Sequence, residues 1–332
     1  MKTLISVIVT TYNSEKYIKK CLDSVLRTKS INFEIVVVDD GSTDNTVTEL
    51  KRYSKRNNVQ IFLFKENKGP TARRNFGVKK ARSGLILFLD ADTILRPSAI
   101  ISIVKRMAKA KEIGGILLKL ILVDGTLDSA GVFMSIFGLP YEVGAGENPD
   151  NYEKETYIFG AKTAGLVISK KIFNKVGGFD EDYLIYGEDI DLSWRIQLAG
   201  YKFLFYPEAS GIHFRGGTLS EATKHRIYYE GSKNNLSNLL KNASLKFLTL
   251  MVPLFLVSQI FLSLKLLITG NFALSAIIYK GVLWNVTHLP KTLRKRFQVQ
   301  KYKKSDEIEK FMFGEIPYIS FFKKGFRWFK NV

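Results

Sequence analysis

Cysteine is nearly absent from this chain of 332 residues. The one cysteine, Cys21, cannot form an internal disulfide, so nothing in the sequence calls for an oxidising compartment. Its spacing with Leu22 and Val25 is typical of a helix face, which favours a core-filling side chain over a reactive thiol. A content of 46% hydrophobic and 24% charged residues excludes a disordered polymer, a collagen-like repeat and a polytopic membrane protein.

Acidic residues are scarce toward the end of the chain. Lys and Arg number 50 against 31 Asp and Glu, which gives a net charge of +19. Residues 1–214 carry 30 basic and 25 acidic residues, whereas residues 215–332 carry 20 basic and 6 acidic ones. An excess confined to one end predicts contact with an anionic surface, either lipid headgroups or nucleic acid.

Patterns typical of strands and helices alternate through the first two thirds of the chain. The first apolar run lacks the cleavage site of a secretory signal and is more typical of a buried strand. Strand, helix, strand at this spacing indicates an α/β fold with right-handed crossovers and a mostly parallel sheet. From Val123 to Glu155 the pattern weakens, which is typical of a binding loop or lid. The predicted strands are Leu4–Thr10, Phe33–Val38, Val59–Phe64, Leu85–Leu89, Gly114–Leu122, Thr163–Ser169 and Lys202–Tyr206.

Asp90 and Asp92 directly follow the predicted strand Leu85–Leu89. In an open parallel sheet, ligands bind beyond the carboxyl ends of the strands. Two carboxylates one residue apart can share a divalent cation with a diphosphate, and oxygen ligands suit Mg²⁺ or Mn²⁺. The alternative is an ordinary polar turn, in which Asp is common.

Two further strands end in polar groups at the same predicted edge. Asp39 and Asp40 follow the second strand, where a carboxylate can accept from a base N–H or a ribose hydroxyl. Thr10 and Asn13 follow the first strand, and Tyr12 offers a ring for stacking. Polar groups from three strand ends therefore predict one ligand-binding crevice.

In their order along the chain, six motifs resemble glycosyltransferase family 2, and in particular its rhamnosyltransferase-like members. The resemblance covers roughly residues 4–215. It implies a GT-A fold, a nucleotide-sugar donor and inversion of the anomeric centre. The motifs are Val7–Asn13, Val37–Asp44, Ala72–Gly77, Asp90–Asp92, Gly177–Glu181 and Gly187–Arg195.

The resemblance also implies roles for individual residues. Asp92 matches the metal ligand that bridges the diphosphate, and Asp189 matches the catalytic base. His213 matches a further metal or diphosphate contact, and a structural histidine at a strand end is the alternative. The matches on the nucleotide side are Asp40 at the base, Asp90 near the ribose, and Thr10, Tyr12, Asn13 and Arg74 around the nucleotide.

Two other acidic residues in the same motif could act as the catalytic base. An inverting transfer needs one base to take the proton of the acceptor hydroxyl. Asp189 lies at the predicted start of a helix, where the helix dipole favours an ionised carboxylate. Glu188 and Asp191 are the rivals, and at helical spacing Asp189 and Asp191 point to different faces.

A basic and apolar region, 223–332, follows a predicted catalytic domain at 1–222. The nucleotide-sugar half of that domain is expected at 1–122 and the acceptor half at 123–222. Phe247–Leu264 carries no charge, whereas Phe272–Leu289 is interrupted by Lys280. The pattern predicts helical membrane attachment, through interfacial helices or one true span; a packed helical subdomain and a nucleic-acid-binding tail are the alternatives. The cations and aromatics expected at the bilayer interface include Lys291, Arg294, Lys295, Arg296 and the segment Phe321–Lys330.

The Gln-x-x-Arg-Trp motif of the processive synthases is absent, which favours addition of a single sugar. We therefore expect a glycosyltransferase on the cytoplasmic membrane face that is inverting and depends on Mg²⁺ or Mn²⁺. Its expected partners are a nucleoside-diphosphate sugar, a lipid-linked or otherwise membrane-borne glycan acceptor and the membrane surface, with no nucleic acid. A nucleotidyltransferase is one alternative, although the first strand lacks a Gly-rich, lysine-bearing phosphate loop. A nucleic-acid-binding protein that uses the basic tail is the other.

Overall fold

The strands of this chain divide between one large sheet and one short hairpin. The computed structural model describes residues 4–109, 111–215 and 221–303. Nine strands of the described residues form the large sheet, and two form the hairpin. The strands are β1 Ile5–Thr11, β2 Phe33–Asp39, β3 Val59–Leu63, β4 Leu85–Asp90, β5 Thr93–Leu95, β6 Ile113–Leu122, β7 Val132–Met134, β8 Pro140–Glu142, β9 Thr156–Ile158, β10 Gly165–Ser169 and β11 Lys202–His213.

Four strands of the large sheet, β3, β2, β1 and β4, run parallel to one another. The strand order is β3-β2-β1-β4-β10-β6-β11-β5, with β9 beside β11. Val7 of β1 pairs with Ile35 of β2 on one side and with Leu87 of β4 on the other. Val7 and Val9 pack into the core on one face of the sheet, and Ile8 packs into the core on the opposite face. Because side chains alternate between faces, a strand covered on both sides needs continuous apolar residues.

Three features of the sheet differ from the sequence predictions. β10 runs antiparallel between β4 and β6, and an apolar run cannot indicate direction because either direction buries both faces. β11 continues past the predicted end at Tyr206, through an irregularity in register, until His213 pairs with Thr93 of β5. The segment predicted to be irregular contains the β7–β8 hairpin.

Helices cover both faces of the sheet. α1 and α4 contribute to the core on one face, and α3, α5 and α6 contribute to the core on the other. Cys21 is fully buried on α1, which confirms its core-filling role. The helices are α1 Ile18–Leu26, α2 Thr46–Lys51, α3 Gly69–Lys80, α4 Ala99–Met107, α5 Lys170–Lys175, α6 Glu188–Leu198, α7 Glu221–Asn242, α8 Leu245–Ile268, α9 Phe272–Thr287 and α10 Leu289–Lys301.

The last four helices pack against the α/β core. Phe255 of α8 and Leu239 of α7 are fully buried in one apolar cluster with Phe159 and Trp194. α8 and α9 form a helical hairpin that turns at Gly270, whose φ of 78° is left-handed. The C-terminal helices are therefore part of the folded body.

One helix of the described residues, α8, has the length and apolar composition of a membrane-crossing helix, with a mean hydropathy of 2.1. α9 is also apolar but shorter. These properties are compatible with the predicted attachment, and composition alone does not separate a span from a helix on a membrane surface.

Some of the cations expected to face headgroups also contact the protein. Lys295 bonds to both Asp180 and Asp182, and Lys291 bonds to Asp182 at 2.5 Å. Arg296 donates to backbone carbonyls at the end of α7. The reason is proximity, since α10 packs alongside α7 and beside the loop that carries these aspartates. The aromatic segment Phe321–Lys330 lies outside the described residues.

The packing of α8 is testable by a matched pair of substitutions. Phe255→Ala is expected to lower the free energy of unfolding by about 3–5 kcal/mol, because a buried ring leaves a cavity. Phe261 lies on the same helix and is 63% exposed, so Phe261→Ala is expected to change it by less than about 0.5 kcal/mol. Urea denaturation followed by circular dichroism measures both, and equal effects would contradict this packing.

Candidate active site

Asp90, Asp92 and His213 form a cluster at one edge of the sheet. Ligand atoms of the three side chains lie within 4.8 Å of one another. β4 ends at Asp90, and the pairing of β5 with β11 places His213 opposite Thr93. The His213 Nε2 atom consequently lies 3.3 Å from an Asp92 carboxylate oxygen.

Asp128 supports the other side of the His213 ring. The His213 Nδ1 atom lies 3.2 Å from Asp128 Oδ2, and Lys162 and Arg215 also contact this buried carboxylate. Burial raises the pKa of Asp128, but the His213 bond and the two cations outweigh it and hold the pKa well below its usual range. Burial lowers the pKa of His213, whereas Asp128 and Asp92 together raise it to about 9. The sequence did not indicate Asp128, because it lies in the segment without recognisable motifs.

The donor set of the cluster fits a divalent cation. Two carboxylates and one imidazole suit Mn²⁺, and carboxylate oxygens suit Mg²⁺. Metal-bound histidines generally give their second ring nitrogen to a carboxylate, and Asp128 occupies that position on His213. Asp90, Asp92 and His213 could therefore hold the predicted metal.

Arg74 joins the cluster to the motif that contains the predicted base. Its guanidinium lies 2.9 Å from Asp90 and 2.9 Å from Glu188. Arg74 is buried on α3, at 5% exposure. Burial lowers the pKa of Arg74, but the two carboxylates raise it further, so the side chain stays charged. Arg74 was predicted on the nucleotide side, and its contacts in the structure are with these two acidic residues.

The three acidic residues at the start of α6 have different surroundings. Asp191 is fully buried between Arg195 and Lys241, at 2.6 and 2.7 Å. Glu188 is buried against Arg74. Asp189 is partly exposed, and burial together with the charge of Glu188 raises its pKa to about 7. The Asp189 carboxylate is therefore accessible and has the proton affinity of a general base, whereas Asp191 forms ion pairs in the protein interior.

Amides of α7 hold the loop that precedes Asp189. Asn234 donates to the carbonyls of Ile185 and Tyr186, at 3.0 and 2.6 Å. Asn238 donates to the carbonyl of Gly187 at 3.1 Å. Tyr186 has a φ of 66°, a left-handed conformation that a tyrosine adopts only where its surroundings impose it. The sequence did not indicate these amides, because contacts between distant elements leave no local pattern.

Asp39 and Asp40 are both buried where β2 ends. Asp40 accepts hydrogen bonds from the backbone N–H groups of Lys68 and Gly69 and from the side chain of Arg73. These bonds hold the start of α3. Asp39 accepts hydrogen bonds from Gly41 and Ser42 in the turn that follows it. Each carboxylate thus accepts three hydrogen bonds within the protein, with Asp39 1% and Asp40 3% exposed, and the predicted contacts of both with a nucleotide stay a prediction.

The end of β1 lies between those of β2 and β4. Thr10 pairs with Asp90, and the neighbouring Thr11 pairs with Asp39, so these three strand ends meet at one edge. Asn13 accepts from the backbone of Thr43 at 2.8 Å, which ties the β1 loop to the β2 loop. Tyr12 is 48% exposed beside them. The nucleotide-side residues predicted on these three strands are therefore brought together, and their contacts with a nucleotide stay a prediction.

Solved structures share the fold of this chain. The structure of S. aureus TarS 1-349 in complex with UDP-GlcNAc matches with a TM-score of 0.54 at 22% identity, over 76% of this chain and 72% of that one. GalNAc-T7 with UDP, GalNAc and Mn²⁺ matches with a TM-score of 0.58 at 18% identity, over 72% and 48%. At these identities the likeness establishes the fold, which is GT-A.

The sequence comparisons identify the family. The family described as glycosyl transferase family 2 matches residues 6–119, and glycosyl transferase family group 2 matches residues 85–290. The chain belongs to glycosyltransferase family 2. The predicted family is thus confirmed, and the rhamnosyltransferase-like subgroup stays a prediction.

Curated relatives match only part of their own length. Glycosyltransferase GlyG of Streptococcus pneumoniae is 38% identical over 101 residues, which are 30% of this chain and 34% of that protein. TarS of Staphylococcus aureus, a poly(ribitol-phosphate) beta-N-acetylglucosaminyltransferase, is 42% identical over 90 residues, 26% of this chain and 16% of TarS. The chain spans about a third or less of these relatives.

Replacement of Arg74 tests its bridging role. Arg74→Met leaves Asp90 and Glu188 without their shared cation, so we expect a loss of about 3–5 kcal/mol in the free energy of unfolding. Arg52 pairs with Glu49 at the surface, and Arg52→Met is expected to cost less than about 1 kcal/mol. Urea denaturation compares the two variants. A loss for Arg74→Met as small as that for Arg52→Met would contradict the bridge.

Proposed function

We propose that this protein transfers a single sugar from a nucleoside-diphosphate sugar to a lipid-linked or otherwise membrane-borne acceptor, with inversion and with a divalent cation. The observation that carries the proposal is the arrangement of Asp90, Asp92 and His213 at the sheet edge, joined through Arg74 to the motif of Asp189. Family membership supports the reaction class.

The donor is expected to lie across the ends of β1, β2 and β4. Tyr12 offers a ring for the base, and Asp39 and Asp40 offer buried acceptor oxygens. The matched structures were obtained with UDP, UDP-GlcNAc or, for a Pyrobaculum calidifontis mannosyltransferase, GDP-Man and Mn²⁺. These ligands support a nucleoside-diphosphate sugar as the donor class, and they differ in base and sugar.

Asp90, Asp92 and His213 would hold the cation beside the diphosphate. A bound divalent cation offsets the negative charge that develops on the departing nucleoside diphosphate. Asp128 fixes the orientation of the His213 ring through Nδ1. Arg74 keeps the Asp90 carboxylate in place.

Asp189 takes the proton from the acceptor hydroxyl as its oxygen attacks the anomeric carbon. A carboxylate with a pKa raised to about 7 by burial and by Glu188 retains the proton that it accepts near neutral pH. Attack from the face opposite the departing diphosphate inverts the anomeric centre. The amides of Asn234 and Asn238 hold the loop that sets the direction of approach.

The membrane location rests on the composition of the C-terminal helices. α8 and α9 are apolar, and no acidic residue occurs between Glu230 and Asp306. A basic apolar region suits the anionic cytoplasmic face of a membrane, and an acceptor in that membrane meets the enzyme there.

The base assignment predicts the pH dependence of transfer. Since Asp189 must be deprotonated, kcat/KM is expected to fall about tenfold per pH unit below a midpoint near 7 and to level off above it. A nearby bound cation lowers this midpoint, so about 7 is its upper bound. Asp189→Asn is expected to reduce kcat roughly 10²–10⁴-fold and to leave the Kd of the nucleoside diphosphate unchanged.

The exposed Asp150 provides the control for this substitution. Asp150→Asn is expected to retain both kcat and the pH profile. A fully active Asp189→Asn variant would remove Asp189 from the role of base. Initial rates between pH 5 and 9, with donor binding by calorimetry, distinguish these outcomes.

The metal site predicts cation-dependent stabilisation. In the presence of Mn²⁺, UDP or GDP at a concentration a hundredfold above its Kd is expected to stabilise the protein by about 2.7 kcal/mol. Asp92→Asn is expected to abolish the contribution of Mn²⁺ and to leave the melting temperature without ligands nearly unchanged. Thermal-shift measurements with and without EDTA test this. A response of Asp92→Asn equal to that of the wild-type chain or Asp150→Asn would contradict the site.

A further inference from the structure

α8 has one face against the protein and the opposite face open. At helical spacing, the open face carries large apolar side chains, with Phe261 63% and Ile268 86% exposed. The protein-facing residues are Met251, Phe255, Gln259, Ser263 and Leu266, and the open-face residues are Leu250, Val257, Phe261, Leu264 and Ile268. An exposed apolar stripe of this length marks an interaction surface.

α7 accompanies α8 in the antiparallel direction. Phe255 packs in one cluster with Leu239. One turn further along α8, Gln259 accepts a hydrogen bond of 2.8 Å from Ser232. Near the end of α8, Leu266 lies in a cluster on which Tyr228 packs. From Phe255 onward, α8 therefore runs side by side with α7.

The other side of α7 is polar and faces the active-site loop. Lys233 donates to the carbonyl of Asp182 at 2.8 Å and pairs with Glu230. Asn234 holds the carbonyls of Ile185 and Tyr186. If α8 crossed a bilayer, α7 and this loop would enter the hydrocarbon with it. A single charged residue there costs about 2.5–3.5 kcal/mol, so these contacts disfavour a crossing.

We infer that the α8–α9 hairpin lies along the surface of an anionic lipid bilayer, with its open apolar face at the boundary of headgroups and acyl chains, and that α8 does not cross. The inference rests on the membrane location proposed above. The exposed Lys246, Lys280 and Arg294 lie on or beside the hairpin, and residues 231–305 contain no acid. Lys280 interrupts the apolar residues of α9, and its long stem lets the ammonium reach the headgroups.

This placement also restricts the acceptor. α7 lies between the lipid-facing helix and the loop before Asp189, so the reactive hydroxyl is held roughly one helix diameter, about 10 Å, above the surface. A hydroxyl on a headgroup that projects from the membrane satisfies this distance. A hydroxyl at the level of the acyl chains does not.

Depth measurements test the orientation of α8. Leu250→Cys, Val257→Cys and Ile268→Cys place single labels along the open face, and the buried Cys21 supplies the unlabelled background. Each full-length variant carries a fluorophore and binds phosphatidylcholine–phosphatidylglycerol vesicles that contain spin-labelled lipids. We expect all three positions to be quenched by headgroup labels more than by labels at the bilayer centre. Strongest quenching of Val257→Cys by central labels would show a crossing and overturn the inference.

A matched pair of charge substitutions tests whether this face binds lipid. Phe261→Glu is expected to weaken vesicle binding roughly tenfold in flotation, equivalent to about 1.4 kcal/mol. Val123 is 64% exposed on a turn of the α/β core, and Val123→Glu is expected to bind as the wild-type chain does. Equal binding by both variants, or no flotation of the wild-type chain, would overturn the inference.

Nucleotide release from the donor in the same samples separates the two proposals. If the wild-type chain releases nucleotide but does not float with vesicles, the lipid-facing surface is contradicted and the transferase proposal is not. Flotation without nucleotide release from any UDP or GDP sugar counts against the transferase proposal.

Discussion

The buried contact of Arg74 with Asp90 and Glu188 is the interaction on which the site depends. It joins the end of β4, where the cation would sit, to the start of α6, which carries Asp189. Two acidic residues that close together would repel each other in a poorly hydrated interior, and one delocalised guanidinium neutralises both. The two halves of the site are thus held by electrostatics in one relative position, as a transfer between two bound substrates requires.

α7 has a comparable role at the start of α6. Its amides fix the loop before Asp189, and Lys241 neutralises Asp180 and Asp191 inside the protein. Such bonds are important for the stability of the fold, because a buried polar group without a partner is strongly destabilising. A helix that composition assigns to the tail therefore belongs structurally to the active site.

The sequence predicted β1, β2, β3, β4, β6 and β10 as strands, and it predicted that the polar ends of β1, β2 and β4 meet, because a buried strand and a polar strand end are local patterns. The extension of β11 to His213 could not be predicted, since it depends on pairing with β5. Asp128 and Asn234 were missed for the same reason: their function comes from distant partners. The ion pairs of Lys291 and Lys295 with Asp180 and Asp182 could not be predicted from the charge distribution either, because they depend on how α10 packs.

The pairing of Lys241 with Asp191 has a practical consequence for any attempt to divide the chain. A fragment that stops where the α/β fold seems complete, near residue 222, would leave Asp191 with Arg195 alone and would uncover Trp194 to water. Such a fragment is expected to be insoluble. Substitutions on the outer surface of these helices leave the contacts of Asp191 and Trp194 intact, whereas exchange of the helices as a unit removes them.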